Sequence, residues 1–306
     1  RLLCTATAAP NDYTELGTSS EALGHLGSIE MIQRFFKSEN GTYAQGGSGG
    51  GRFAGKDRFA SKMRFRGHAE RDFWRWVCSW ARAMRKPSDI GYEDDNYVLP
   101  MLHVNSHIVK TNKPVDGYLF DLPAVGLAEQ RSDLRRSISE RCEMSAALIN
   151  NTNRPAIAWC NLNEEGNRLS KLISDSVEVS GDDSESEKEE AFSAFISGKV
   201  RVLVTKPSIA GFGLNMQHCA HQTFFPSHSY EQYYQAVRRC WRFGQKNAVT
   251  VDVITTEGQA DVLANLTRKS EQADKMFDHL VALMWKELKI EKKNTYTKKE
   301  VLPSWL

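Results

Sequence analysis

From residue 156 onward, short uninterrupted apolar runs alternate with longer stretches in which apolar residues recur every three or four positions. Ala156–Asn161 (AIAWCN), Val177–Ser180, Val200–Thr205, His221–Phe225 and Ala248–Thr255 have the length and composition of strands. Between them, Glu164–Ile173, Ser184–Ser197 and Ser229–Trp241 carry the helical period. Strands without polar alternation are buried on both faces, and a regular strand–helix succession predicts a parallel sheet covered by helices. The acidic stretch Gly181–Glu190 reads as a solvated helix start. Ser184 followed by Glu187 forms a capping box, and acids suit the positive end of a helix dipole. Gly258–Ile290 continues as helix, with a charged tail over Glu291–Glu300.

The first half of the chain is less regular. Residues 1–38 predict the end of a strand, a turn at Ala9–Asp12 and helix through Phe36, followed by a glycine-rich loop over Asn40–Gly51. Arg52–Arg71 then sets seven basic residues against Asp57 and Glu70, with Phe53, Phe59 and Phe65 interleaved. Such a stretch is either a platform for nucleic acid, with Arg58, Arg64 and Arg66 on the phosphates, or a basic hairpin whose phenylalanines pack down. Ala69–Met84 places Phe73, Trp76, Val77, Trp80 and Met84 on one helical face, which is a core pattern, and KPSDIG (Lys86–Gly91) ends it. Leu99–Val109 reads as a strand with His103 and His107 on one face, and Leu127–Ile149 as a charged bracing helix.

A chain of 306 residues has room for two domains, or for one domain and a helical insertion. Its 41% hydrophobic content suffices for a packed core. A net charge of +2 excludes a polycation, so any nucleic-acid surface must be local. The six cysteines show no C-x-x-C spacing, and His218, Cys219 and His221 lack a second half with zinc spacing. No metal site is expected from them, and thiols of this kind fit an intracellular protein. No apolar run is long enough to cross a bilayer, so no membrane partner is expected.

Three motifs carry chemistry. The last is Gln235–Gln245, QAVRRCWRFGQ. On a continuing helix, Arg239 and Arg242 would point the same way, and their planar guanidinium forks suit phosphate oxygens. Before it stands Thr205–Asn215, TKPSIAGFGLN, and the chain opens on Thr5–Gly17, TATAAPNDYTELG. In this order they resemble motifs of superfamily 2 helicases, most closely the SWI/SNF-type ATPases and their phage-encoded branch. The last motif of that group reads Q-A-x-D-R-x-x-R-x-G-Q. Gln235, Ala236, Arg239, Arg242, Gly244 and Gln245 fit it, with Arg238 where Asp is usual. Thr205, Lys206, Gly211, Gly213, Leu214 and Asn215 align with S-T-K-A-G-G-x-G-L-N. Thr5, Thr7, Asn11, Glu15 and Leu16 align with T-G-T-P-x-x-N-x-x-x-E-L, with Ala8 in place of proline.

The resemblance implies an α/β fold, a RecA-like parallel sheet flanked by helices that forms a second motor lobe, preceded by a mostly helical insertion. Its expected divisions are 1–38 as the end of a first lobe, 39–150 as insertion and bracing helices, 151–290 as the second lobe, and 291–306 as a tail. It implies the C-terminal half of an ATP-dependent DNA helicase or translocase, working with ATP and Mg2+ in the cytoplasm of a bacterial or phage-infected cell. Arg242 matches the family's arginine finger, Arg239 a second phosphate clamp, and Gln235 a residue that senses lobe closure. Gly211, Gly213 and Asn215 would border the nucleotide, Thr5 and Thr7 would couple it to lobe movement, and Thr205 and Lys206 would reach the nucleic-acid backbone.

The chain opens at Arg1 inside what resembles the motif closing a first RecA-like lobe. That lobe, with its phosphate loop and magnesium-binding acids, is expected to be a missing partner, and hydrolysis by this chain alone is not expected. Gly50–Asp57, GGRFAGKD, does not replace it. It is one residue short of G-x-x-x-x-G-K-[ST], and Asp57 sets a carboxylate where a hydroxyl should meet magnesium. The alternative is a non-catalytic nucleic-acid-binding or interaction module derived from such a lobe, which Arg238 and the absent first lobe favour.

Overall fold

A computed structural model describes residues 2–38, 63–110, 132, 134–211, 213–227 and 229–288. The chain divides into two compact units, Arg1–Asp95 with Ala273–Leu306, and Asn96–Gln272.

In the first unit, helices α1 (Leu16–Ala22) and α2 (Ser28–Phe35) lead into strand β1 (Phe36–Ser38), which pairs antiparallel with β2 (Met63–Phe65). Phe36 is therefore a strand residue rather than the end of a helix. Helix α3 (Ala69–Trp80) buries Phe73, Trp74, Val77 and Cys78, a face rotated from the expected one. Met84 lies beyond the helix and is exposed, because the chain leaves helical geometry at Ala81. Phe65 packs down, its ring centroid 4.7 Å from Phe36 and 5.3 Å from Phe73. Aromatic packing of this kind holds the short hairpin, which has too few residues to be stable alone.

The second unit is a six-stranded sheet. Its strands are β3 (Leu102–Val109), β4 (Ala156–Trp159), β5 (Ser176–Val179), β6 (Val202–Thr205), β7 (His221–Phe224) and β8 (Val249–Thr256). They lie in the order β3-β8-β7-β4-β6-β5, and every pairing is parallel. Its helices are α4 (Ile138–Asn150), α5 (Asn163–Leu172), α6 (Glu185–Ile196), α7 (Pro207–Ala210) and α8 (Tyr230–Val237). Helix α9 (Ala260–Leu288) runs on from β8. One face of the sheet, with Ile157, Leu203, Val251 and Val253, is covered by Phe195, Ala210, Ala236 and Val237. The other, with Ala158, Val202, Val204 and Ile254, lies under Ile138, Cys142, Ala146, Ile149 and Leu169 of α4 and α5. The capping box of α6 forms as expected: Glu187 N donates to Ser184 Oγ, and Ser184 N to Glu187 Oε2.

This is the doubly covered parallel sheet expected from the apolar runs. Its unit begins at Asn96 rather than at residue 151, because β3 joins the sheet edge along the whole length of β8. Two helix readings are also revised. Within Leu127–Ile149, Ser132 and 134–136 are helical as expected, but a turn at Ser137 interrupts the helix and α4 begins at Ile138, with 127–131 and 133 outside the described residues. The helix expected over Ser229–Trp241 stops at Val237.

Polar groups inside the sheet are paired, as burial demands. Thr223 Oγ1 lies 2.7 Å from Ser145 Oγ, and the Trp159 indole N–H donates to Gln222 Oε1 at 2.8 Å. Asp252 joins three strands: Asn105 Nδ2 and His107 Nε2 approach Oδ1 at 2.9 and 2.8 Å, and His221 Nε2 approaches Oδ2 at 2.9 Å. Between α4 and α5, Arg141 and Glu165 are both wholly buried, with Nη2 2.6 Å from Oε1. Glu165 Oε2 also accepts from Asn161 N and Leu162 N, closing the start of α5.

Burial of Asp252 works against its ionisation, but hydrogen bonds from His221, Asn105 and His107, with the charge on His221, outweigh it and hold the carboxyl well below the usual range. A depressed folded value stabilises the fold above the unfolded carboxyl value of about 4 and loses that contribution as pH falls through it toward the folded value. Asp252→Asn is therefore destabilised at pH 7, and its deficit against wild type shrinks below about pH 4. Urea unfolding across pH checks this; a deficit that does not change with pH contradicts it.

Candidate phosphate-facing site

Helix α8 tightens and ends because the chain after it is tied elsewhere. Arg239 N and Cys240 N bond three residues back, to Ala236 O and Val237 O, a 3-10 pattern. The Arg239 carbonyl accepts from Met216 N at 3.0 Å, which joins this turn to the glycine loop after β6. Arg239 consequently turns inward and is only 9% exposed. Its Nε donates to Gln235 O at 3.0 Å, Nη1 to Leu214 O at 2.9 Å, and Nη2 to Gln235 Oε1 at 3.3 Å. Burial, and secondarily the charge on Arg242, lowers its pKa from the ordinary guanidinium value.

Arg242 lies beyond this turn and is half-buried. Its Nη1 donates to Asn215 Oδ1, and Asn215 is exposed. The two arginines therefore do not share a helical face. Arg239 braces Leu214 and Gln235, while Arg242 rests on one surface side chain. The expected second clamp is in this arrangement a brace for the loop that presents Asn215.

Gly211 follows α7, and a Cβ there would stand 2.1 Å from the Pro207 carbonyl oxygen, so the close approach expected of it is within its own turn. Gly213 has open space around it but a φ of +78°, which glycine adopts without the Cβ penalty. Gln245 fastens the far end of the motif. Its Nε2 donates to Gln217 O at 2.8 Å, to Cys219 O at 2.9 Å and to Cys240 O at 3.4 Å, while Oε1 accepts from Asn247 N. Arg238, where the family pattern has Asp, lays its guanidinium over Trp241 at 4.5 Å and Tyr234 at 5.2 Å. That stacking gives the departure a packing role.

The remaining expected residues do not join this group. Thr205 is 1% exposed and donates Oγ1 to Val179 O at 2.9 Å, so it does not reach a nucleic-acid backbone as expected. The reason is its position as the last residue of a fully buried strand. Lys206, the next residue, donates Nζ to Asn163 Oδ1 at the carboxyl ends of the strands. Gln245, by contrast, sits beside Cys219, just before the amino end of β7. Thr5 and Thr7 lie in the first unit, Thr7 N donating to Thr5 Oγ1 at 3.1 Å. So do Arg64, exposed on β2, and Arg66, whose Nε donates to Phe36 O at 2.6 Å. Arg58 is outside the described residues. Among the described residues, no cluster of His, Cys, Asp and Glu is arranged to hold a metal ion, and no helix is long and apolar enough to cross a membrane.

Sequence reasoning missed the Asp252 network and the bracing roles of Arg239 and Gln245. An acid inside the strand run VTVDVITT was the available signal for the first. The second had none, since its partners are main-chain carbonyls of a distant loop.

Residues 140–244 match the family model described as the helicase conserved C-terminal domain. The chain thus carries a helicase C-terminal domain, and the six-stranded parallel sheet flanked by helices is its RecA-like lobe. No curated protein matches the chain. Among solved structures, the C-terminal part of the Fun30 ATPase domain is similar at 14% identity and a TM-score of 0.38, over 49% of this chain and 54% of that one. Dbp5 of S. cerevisiae, bound to RNA and ADP BeF3, is similar at 14% identity and a TM-score of 0.39, over 63% of this chain and 47% of that one. The chain thus spans about half the length of each.

Gln245→Leu removes the donor shared by three carbonyls and should destabilise the second unit by about 1–3 kcal/mol. A urea midpoint equal to that of wild type would show that the motif holds together without it.

Proposed function

We propose that this chain supplies the second RecA-like lobe of an ATP-driven DNA helicase or translocase of SWI/SNF type, with Arg242 as its arginine finger. The observation that carries this reading is the division of labour between the arginines. Arg239 is fixed to main-chain carbonyls, and Arg242 rests on the single exposed side chain of Asn215. A guanidinium held by one surface amide can exchange that partner for a phosphate oxygen at little cost. ATP, carried with Mg2+, would supply the phosphoryl group and the charge that such a cation neutralises. The side chains present fit the phosphate end of that group, and the magnesium ligands are assigned to a first lobe of the same protein.

Within this chain, Gln235 orients Arg239, Arg239 positions Leu214, and Asn215 parks Arg242 until the lobes close. Gly211 and Gly213 shape the loop that borders the nucleotide, and Thr5 and Thr7 couple the lobes. Lys206, with Arg58, Arg64 and Arg66, contacts the DNA backbone, which positions the strand without reading its sequence. Cycles of closure and opening would move the lobes along DNA, and the setting is the cytoplasm of a bacterial or phage-infected cell. The alternative, a non-catalytic nucleic-acid-binding or interaction module, gains from the burial of Arg239, which withdraws one of the two guanidinium groups from a phosphate.

With a first lobe present, Arg242→Ala should lower kcat for DNA-stimulated ATP hydrolysis by about a thousand-fold or more, with KM changed far less. Turnover within a few-fold of wild type removes the finger role. Replacing Arg58, Arg64 and Arg66 together should weaken DNA binding and flatten its dependence on salt; an unchanged salt slope assigns them to structure.

A further inference from the structure

In the first unit, α2 and α3 enclose a cavity of about 320 Å³ lined by Arg34, Phe35, Ala69, Asp72 and Trp76. Ala69, Asp72 and Trp76 are spaced three and four apart on α3, so they form one stripe along the cavity. Ala69 is small and leaves room, while Trp76 supplies a flat wall. That wall is held in place by other rings. Its centroid lies 5.5 Å from Phe35 with the planes 27° apart, 5.8 Å from Phe73 and 5.5 Å from Trp80. Arg34 and Asp72 bring opposite charges to the cavity from different helices, and both are exposed. They do not pair with each other, and neither side chain has an ion pair or hydrogen bond to any other described residue. Exposed opposite charges elsewhere in this unit do meet, as Lys86 Nζ and Asp94 Oδ2 do at 2.8 Å. An aromatic wall beside an unpaired guanidinium and an unpaired carboxylate suits a flat ring that carries acceptors on one edge and donors on the next.

We propose that this cavity is a binding site for a guanine base. Guanine alone among the DNA bases has two adjacent acceptors, O6 and N7, on one edge and two adjacent donors, N1–H and N2–H, on the next. A guanidinium donates to the first edge in a forked pair, and a carboxylate accepts from both donors of the second. Adenine sets its N6 amino donor against the donors of Arg34 and its N1 lone pair against the lone pairs of Asp72. The base lies against Trp76, whose ring is already fixed, so little ordering opposes binding. The volume stands near the lower end of ligand cavities, about 300–1,000 Å³, which is room for one base. This site goes beyond the reading of Arg242 and does not depend on it. Contacts to a nucleic-acid backbone carry no sequence, whereas this cavity selects one base. A free nucleotide and a nucleic-acid strand both offer that base, with the same chemistry at Arg34 and Asp72.

Calorimetric titration of the full chain with GMP, IMP and AMP tests this, together with short oligothymidine strands carrying one central dG or one central dI. GMP should bind about ten-fold more tightly than IMP, which lacks the N2 amino donor, and about a hundred-fold more tightly than AMP. Asp72→Asn and Arg34→Gln should each weaken GMP by about ten-fold or more, with a urea midpoint near that of wild type because both residues are exposed. Trp76→Phe, which keeps a stacking ring, should preserve the order of the three ligands. A dG strand bound more tightly than both GMP and the dI strand assigns the base to nucleic acid; a dG strand no tighter than GMP assigns it to a free nucleotide. Arg242→Ala should leave the guanine preference unchanged. A preference lost in Arg242→Ala and kept in Asp72→Asn places the base at the arginine turn and overturns the cavity site, leaving the reading of Arg242 standing. Equal affinity for guanine, hypoxanthine and adenine, or no binding of GMP or the dG strand at millimolar concentration, also overturns it.

Discussion

The irregular stretch from Leu214 to Cys219 has carbonyls that no strand or helix satisfies, and everything at the site depends on which side chains donate to them. Arg239 donates to Leu214, and Gln245 to Gln217 and Cys219. A buried carbonyl without a donor costs as much as a lost hydrogen bond, so these two side chains decide the course of the loop. The Arg239 carbonyl is taken up by Met216 N where α8 ends, and the Arg239 side chain turns inward from there to its acceptor. With Arg239 so engaged, Arg242 is carried past the turn to Asn215, and Phe243 is left at the surface.

The sheet beneath supplies a rigid frame by a different means. Its central strands are buried on both faces, and the polar residues within them are paired across strands, through Asp252 on one side and Gln222 on the other. The Arg141–Glu165 pair fixes α4 against α5 in the same way. A buried ion pair is weak evidence for stability, but removing one partner strands the other charge and is strongly destabilising. These contacts tie the helices to the sheet in one register.

Much of the second unit was legible in its sequence, since AIAW and VLVT have no polar alternation and can only be strands buried on both faces. Ser184 and Glu187 announced a helix start through purely local chemistry. What was not legible depends on partners far along the chain. Thr205 fits a motif, yet as the last residue of a buried strand its hydroxyl is used inside. Arg239 and Arg242 have helical spacing, but a hydrogen bond from Met216 ends the helix between Val237 and Arg239. The pairing of Tyr97 with Phe243 spans five of the six strands, β3 to β7, and no periodicity encodes it.

The division of roles between the two arginines is tested most directly by a structure of the chain joined to a first lobe, with ADP and aluminium fluoride in place of the transferring phosphate. Arg242 should have left Asn215 and lie within hydrogen-bond reach of the fluoride, with Arg239 still donating to the Leu214 carbonyl. Arg239 on the fluoride, with Arg242 still on Asn215, would contradict the assignment.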